Sequence, residues 1–445
     1  MVAPSCAAVR GLAAASIDGP LRAGDADTLG THVRSCLSCA SLVRDLRADA
    51  VALDRIQVGR PSEAVLLAVV DAARASRTRR TRPWPALVAA AIAVLVLGAG
   101  FVVGGGVPTT RFPLPDAARL AWSQLDARSG IAAPRHSSIT TVASARGIGT
   151  LALAAAGTIG PGAGMWITTD GAAWRLVDGK SFDRGHVHAL AGGSGRLVGV
   201  GSMISENGDP GAGVWWSADG TSWQSRSLAT TQELDAIVAG PSGFVAAGVP
   251  RGANGAVIWR STDGSSWTAV EDQTPFNGAV VTALVRHGDA FVAVGYGDRG
   301  GVAWTSRDGV AWVRATDDAV FEHGRVWSVT SSEDAIVAVG FDARGAAVWR
   351  SADGDRWTRT DLPSDLEGSR LRSVATTPVG FVAVGFDGAA PVSLVSDDAG
   401  VTWRHMPGTP WPEDAALQTI AAVDGGVVAA GSLDDSAVLW RGDRR

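Results

Sequence analysis

The chain has 445 residues, 46% of them hydrophobic and 19% charged, with a formal net charge of −5. That length exceeds what one ordinary core encloses, so two or more folded units are expected. The apolar content excludes an overall disordered chain. The charge is uneven: residues 1–83 carry 12 Arg against 8 acidic groups, and the remainder carries 27 basic against 36 acidic groups. An acidic C-terminal part argues against direct nucleic-acid binding through it.

All three cysteines lie near the N-terminus. His32, Cys36 and Cys39 form H-x-x-x-C-x-x-C. Leu29, His32, Val33 and Cys36 follow one another at i, i+3, i+4 and i+7, which predicts a helix over residues 25–36. The spacing puts the imidazole and one thiolate on a single helical face. Cys39 follows one turn later, and Cys6 can supply a fourth ligand from a separate helix. Three sulfurs and one nitrogen suit tetrahedral Zn²⁺. A head of about 50 residues has little core, so a metal clip would supply much of its folding free energy. The bland alternative is three buried free cysteines beside a surface histidine. A disulfide is disfavoured if the head is cytoplasmic. Haem attachment is excluded because Ala40, not a histidine, follows Cys39.

Cys6, the segment Ile17–Leu21 and His32–Cys39 together resemble the zinc-binding anti-sigma factor domain of bacteria. The likeness covers roughly residues 5–55. It implies a small all-α zinc bundle with Cys6, His32, Cys36 and Cys39 as ligands. It also implies that a following helix docks on a sigma factor of the extracytoplasmic-function type and keeps it from RNA polymerase. Gly11 and Pro20 weaken the first helix relative to that pattern. Two later helices fit. Residues 40–53 carry Leu42, Leu46, Ala50 and Leu53 on one stripe. Residues 63–74 begin after Ser62, a candidate N-cap, and contain AVLLAVV. An exposed apolar helix on a small domain marks a partner site, so Val65, Leu66, Val69 and Val70 are the sigma-facing candidates. A juxtamembrane spacer is the other reading.

From Pro83 to Thr110 no side chain is charged. Trp84–Val103 is long enough to cross about 30 Å of hydrocarbon as a helix. It lies too far from Met1 to be a signal peptide. Arg74, Arg77, Arg79, Arg80 and Arg82 precede it, and Arg111 is the nearest charge beyond. The positive-inside rule therefore places the head in the cytoplasm and the rest of the chain outside a cell membrane crossed once. The expected divisions are a zinc domain over residues 1–60, a docking or juxtamembrane helix over 61–83, a transmembrane helix over 84–104 and a linker over 105–119. A β-propeller takes residues 120–445.

The propeller is read from a Ser/Thr-x-Asp-Gly-x-x-Trp box, written six times. Its aspartates are Asp170, Asp219, Asp263, Asp308, Asp353 and Asp398, with gaps of 49, 44, 45, 45 and 45 residues. The tryptophans are Trp174, Trp223, Trp267, Trp312, Trp357 and Trp403, the last box holding one extra residue. Such a period with four short strands per unit signals a radial β repeat. A second-strand motif ending in Gly recurs seven times, giving seven blades, with six as the alternative. No residues remain at the C-terminus for a last outer strand. Leu120–Leu125 resembles the outer strands and is expected to complete the seventh blade from the N-terminal side.

The boxes resemble the Asp-box, or bacterial neuraminidase, repeat. The Ser/Thr hydroxyl and the carboxylate are expected to cap backbone amides in the turn between third and fourth strands, so these aspartates are structural. The sialidase pattern needs a tyrosine nucleophile, and Tyr296 is the sole tyrosine. No motif proposes a catalytic pair, so no enzymatic activity is expected. Loops on the face opposite the boxes vary most between units. His186, Tyr296, Arg299, His323, Arg325 and Trp411 are the ligand-face candidates, and His186 with His188 is a possible metal pair. The combined expectation is a membrane-anchored anti-sigma factor whose external propeller senses or binds an extracytoplasmic protein or glycan. The alternative is a membrane-anchored glycan-binding or sialidase-like protein.

Overall fold

The structure is a computed structural model that describes residues 23–35 and 120–444, with short gaps at 126–135, 161, 178, 206, 229–232, 249–254, 317–318, 378–379, 388–389, 407–410 and 413. The chain divides into two compact units, Met1–Leu114 and Pro115–Arg445.

In the first unit the described element is a helix, Ala23–Ser35. It agrees with the helical phase of Leu29 and His32. Leu29 is 6% exposed and His32 is half-buried. The Thr28 hydroxyl donates to the Gly24 carbonyl at 2.7 Å, one turn back. Cys6, Cys36 and Cys39, the apolar positions Val65, Leu66, Val69 and Val70, and Trp84–Val103 all lie outside the described residues. Among the described residues no helix is long and apolar enough to cross a membrane.

The second unit is built from seven four-stranded antiparallel sheets. They are numbered here as blades 1–7 by their innermost strands: Ser137–Ser144, Gly185–Gly193, Ala236–Gly240, Ala279–His287, Arg325–Ser331, Arg370–Thr377 and Ala416–Val423. Each innermost strand touches the next, and the last touches the first, so the sheets form a closed ring. Seven blades, not six, are present among the described residues. In blades 1–6 the four strands follow one another in the chain. Blade 7 is composite: Leu120–Leu125 pairs antiparallel with Ser436–Arg444 as its outermost strand. The pairing covers the outer edge that Ser436–Arg444 would otherwise expose.

The core is a ring rather than a ball. Seven apolar clusters are buried, and each spans one boundary between adjacent blades. One of them joins blade 7 to blade 1 through Leu439, Val428, Ile139 and Trp166. The largest fully buried side chains include Trp166, Trp215, Trp304, Trp349 and Trp440, all on third strands. Three of these indoles donate to the connectors that lead into their blades: Trp215 to Ser181 O at 2.7 Å, Trp304 to Pro275 O at 2.8 Å and Trp349 to Val320 O at 3.0 Å. Each of those connectors makes a short 3-10 turn that buries Phe182, Phe276 or Phe321. One aromatic thus seals the gap between blades while its neighbour's N–H is satisfied.

Candidate functional site

The six boxes fold alike. In blade 2 the amide of Gly220 donates to Ser217 Oγ at 2.8 Å, and the amides of Thr221 and Ser222 both donate to Asp219 Oδ1 at 2.7 Å. Ser217 Oγ in turn donates to Asp219 Oδ1 at 3.0 Å, and the Trp223 indole closes the turn on Gly220 O at 2.9 Å. Gly220 has φ 73°, which a side chain would strain. The last box absorbs its extra residue by putting Ala399 at φ 59° and moving the Ser396 contact to the amide of Gly400. Blade 4 departs from the pattern: the Trp312 indole nitrogen is buried with no hydrogen-bond partner.

Every box aspartate is held below the ordinary carboxylate range. For Asp219 the cause is the amide of Ser222, then that of Thr221. For Asp263 it is the amide of Ser266, then the Ser265 hydroxyl. For Asp398 burial opposes the shift, and bonds from the Thr402 hydroxyl and amide outweigh it. A carboxylate so satisfied stays ionised and has no proton to give. These six groups tie turns, as the local pattern predicts.

The opposite face is organised by a bulge. Six innermost strands slip register after their second or third residue, leaving Thr140, His188, Thr282, Trp327, Arg372 and Gln418 unpaired with the second strand. Asp235 stands at the same place in blade 3, just before Ala236–Gly240, with its amide donating to Ala247 O at 2.8 Å. Opposite each bulge is a glycine: Gly157, Gly201, Gly248, Gly295, Gly340, Gly385 and Gly431. A Cβ there would stand only 1.7 to 2.0 Å from a carbonyl oxygen two residues before the bulged one. That close approach explains why the second-strand motif ends in glycine in all seven units. Backbone geometry therefore sets seven equivalent side chains around the axis, six on innermost strands and Asp235 just before one, near the face where those strands begin.

Those side chains meet across blade boundaries. His188 Nδ1 lies 2.9 Å from Asp235 Oδ1. The Thr282 hydroxyl donates to Val326 O at 2.7 Å. The Arg372 guanidinium stacks 3.7 Å over the Trp327 ring. Next to this ring, on blades 4–6, cations and aromatics alternate. Arg325 lies 4.7 Å over Tyr296 and Arg370 lies 4.6 Å over Phe341, each reaching back to the preceding blade. Trp327 packs edge-on against Phe341 at 5.2 Å. Stacking of this kind fixes the planar guanidinium heads against rigid strands.

The ligand-face candidates thus divide. Tyr296 and Arg325 come together in this wall. His186 is half-buried in the ladder opposite Ser202. Arg299 and His323 are exposed on turns, with the His323 amide donating to Arg299 O at 3.1 Å. Trp411 is a packing residue: its ring meets Trp122 at 4.7 Å and Trp440 at 5.3 Å, and its indole donates to Ser393 Oγ at 3.2 Å. Sequence reasoning missed the bulge, and of its residues it named only His188, paired there with His186 rather than with a neighbouring blade. Their signal was the residue inside each [Val/Ile/Leu]-x-[Ala/Ser/Thr] triplet that opens an inner strand. One concavity lies elsewhere, on the face of the boxes. It holds about 660 Å³ and is lined by His287, Gly288, Ser331, Ser332, Glu333 and Thr376.

No protein-family model matches this chain, and no curated protein matches it either. Solved structures do. One is a catalytically inactive virginiamycin B lyase from Staphylococcus aureus with quinupristin, at 12% identity and a TM-score of 0.52, covering 73% of this chain and 99% of that one. Another is YCF48 bound to D1 peptide, at 18% identity and a TM-score of 0.49, covering 74% of this chain and 96% of that one. A third is the β-propeller domain of Myceliophteria thermophila Cps50 (Swd1), at 13% identity and a TM-score of 0.46, covering 70% of this chain and 98% of that one. The likeness to the lyase shows the fold alone. Residues from Leu120 onward make this chain a seven-bladed β-propeller protein.

Proposed function

We propose that this chain is a membrane-anchored anti-sigma factor. Its head sequesters an extracytoplasmic-function sigma factor, and its propeller, of the Asp-box type, binds an extracytoplasmic protein or glycan. The observation that carries the reading is the order of three features in one chain: a Cys6–His32–Cys36–Cys39 ligand set, an apolar segment at Trp84–Val103 behind five arginines, and a ring. The half-buried His32 on a helix that ends at Ser35, next to Cys36, is consistent with a metal-tied bundle. In this reading Zn²⁺ supplies folding energy and no chemistry. Val65, Leu66, Val69 and Val70 face the sigma factor.

The propeller half acts by binding and not by catalysis. Its box carboxylates are committed to turns, and the wall of Tyr296, Arg325, Phe341 and Arg370 is the surface most suited to hold a partner. A sialidase-like reading would ask Tyr296 to act as nucleophile.

The test is capture by the full-length protein, purified in detergent. The parent should carry about one zinc per chain in its head and retain a single sigma factor from its own cytoplasm. Cys36→Ser should lose both, and a double charged substitution at Leu66 and Val69 should lose the sigma factor alone. Equal capture by all three proteins rejects the anti-sigma reading.

A further inference from the structure

We propose that blades 2 and 3 hold a divalent-cation site made by His188, Glu233 and Asp235 at the axial bulge ring, independent of the anti-sigma reading and of the zinc head. One ligand atom from each residue lies within 4.8 Å of the others. All three are half-buried, with His188 28% and Asp235 38% exposed at the side chain. They come together for a backbone reason. His188 and Asp235 occupy equivalent bulge positions on adjacent blades, and Glu233 is two residues before Asp235, on the same side of an extended segment. The amide of Leu234, between the two acids, donates to Gly201 O at 3.2 Å. Gly201 is the glycine that faces the blade 2 bulge, so this bond ties the acids of one blade to the histidine of the other.

The histidine is oriented at both nitrogens. Nδ1 faces Asp235 Oδ1 at 2.9 Å, and Nε2 lies 3.4 Å from Ser202 Oγ. The tautomer with its proton on Nε2 donates toward Ser202 and turns the Nδ1 lone pair toward the carboxylates. That is how a second partner commonly fixes a metal-bound imidazole. Two carboxylates this close repel, and a shared cation removes that repulsion. The combination does not recur around the ring. The matching pairs in the other blades are Ser138/Thr140, Val280/Thr282, Arg325/Trp327, Arg370/Arg372 and Ala416/Gln418, none with a carboxylate. One imidazole and two carboxylates suit a borderline or hard ion such as Mn²⁺ or Zn²⁺. Three protein ligands leave positions open for water or for an oxygen of a bound partner.

Mn²⁺ is the probe, because a head rich in thiolates disfavours it. Full-length protein in detergent, stripped with chelator, is titrated with MnCl₂ and followed by electron paramagnetic resonance. The parent should bind about one Mn²⁺ per chain and show nitrogen hyperfine coupling from an imidazole. Glu233→Gln, nearly isosteric and outside the ladder, and Asp235→Asn should each bind at least about tenfold more weakly. His188→Ala should lose the nitrogen coupling. Cys36→Ser should change neither. Thermal melting without metal checks that each variant is folded, and the Glu233→Gln result decides if another variant is not. Binding by Glu233→Gln equal to the parent, absence of nitrogen coupling, or loss of Mn²⁺ in Cys36→Ser overturns the site.

Discussion

Trp122 lies directly opposite Gly442 in the pairing that closes the ring, and a Cβ on Gly442 would stand 2.9 Å from its indole. The indole N–H reaches on to the sulfur of Met406 in blade 6 at 3.1 Å. One residue from before the repeat array therefore fastens the last two blades.

Removing that strand should leave blade 7 with an open outer edge. Truncation to about residue 128 should give a less stable, aggregation-prone propeller, because the strand Ser436–Arg444 becomes an unpaired edge. Truncation to about residue 112 should leave thermal stability unchanged. Equal melting temperatures for the two truncations would show that the pairing of Leu120–Leu125 contributes nothing to closure. Gly442→Val in the intact chain should lower stability in the same direction, since no space exists beneath Trp122.

The boxes predict an acid limb. Each box aspartate has a folded pKa below its unfolded value of about 3.9. Its stabilisation is then fully present above that pH and is lost as pH falls through the folded value. All six shifts have the same sign, so urea midpoints should fall as pH drops below about 4. Asp219→Ala leaves the amides of Thr221 and Ser222 without their acceptor. It should cost about 1–3 kcal/mol at neutral pH, and the loss should shrink in acid. A loss that does not depend on pH would mean that the carboxylate acts only through packing.

Gly340→Ala should be among the costliest single-methyl changes in the molecule. The new Cβ would stand 1.8 Å from the carbonyl oxygen of Arg325, which is backbone and cannot swing away. Overpacking of this kind costs about 1–3 kcal/mol or more. The change would also disturb the Arg325–Tyr296 stack. Gly179→Ala is the control: its nearest neighbour is a Phe182 ring atom at 3.8 Å. It should shift the denaturation midpoint little, and equal effects of the two would dismiss the bulge as the reason for the repeated glycine.

The arginines before Trp84 predict orientation. Protease added to intact cells, or to spheroplasts where a wall intervenes, should digest residues beyond about 110 and spare the head. Protection of the propeller with digestion of the head would reverse the topology.

The boxes, the blade count and the closing strand were legible in the sequence because their determinants are local or strictly periodic. The acceptors of a box lie within four residues of its donors, and Leu120–Leu125 carries the pattern of the strands it joins. The axial ring was not legible in the same way. A bulge leaves one residue without a partner in its own sheet, so the 2-residue alternation that reads strands says nothing of where it sits. The contacts that give His188, Asp235, Trp327 and Arg372 their meaning join residues of different blades. Sequence alone determined what each blade is. Only ring closure decided which residues of neighbouring blades face one another, because that depends on a register slip and on the circular order of seven sheets.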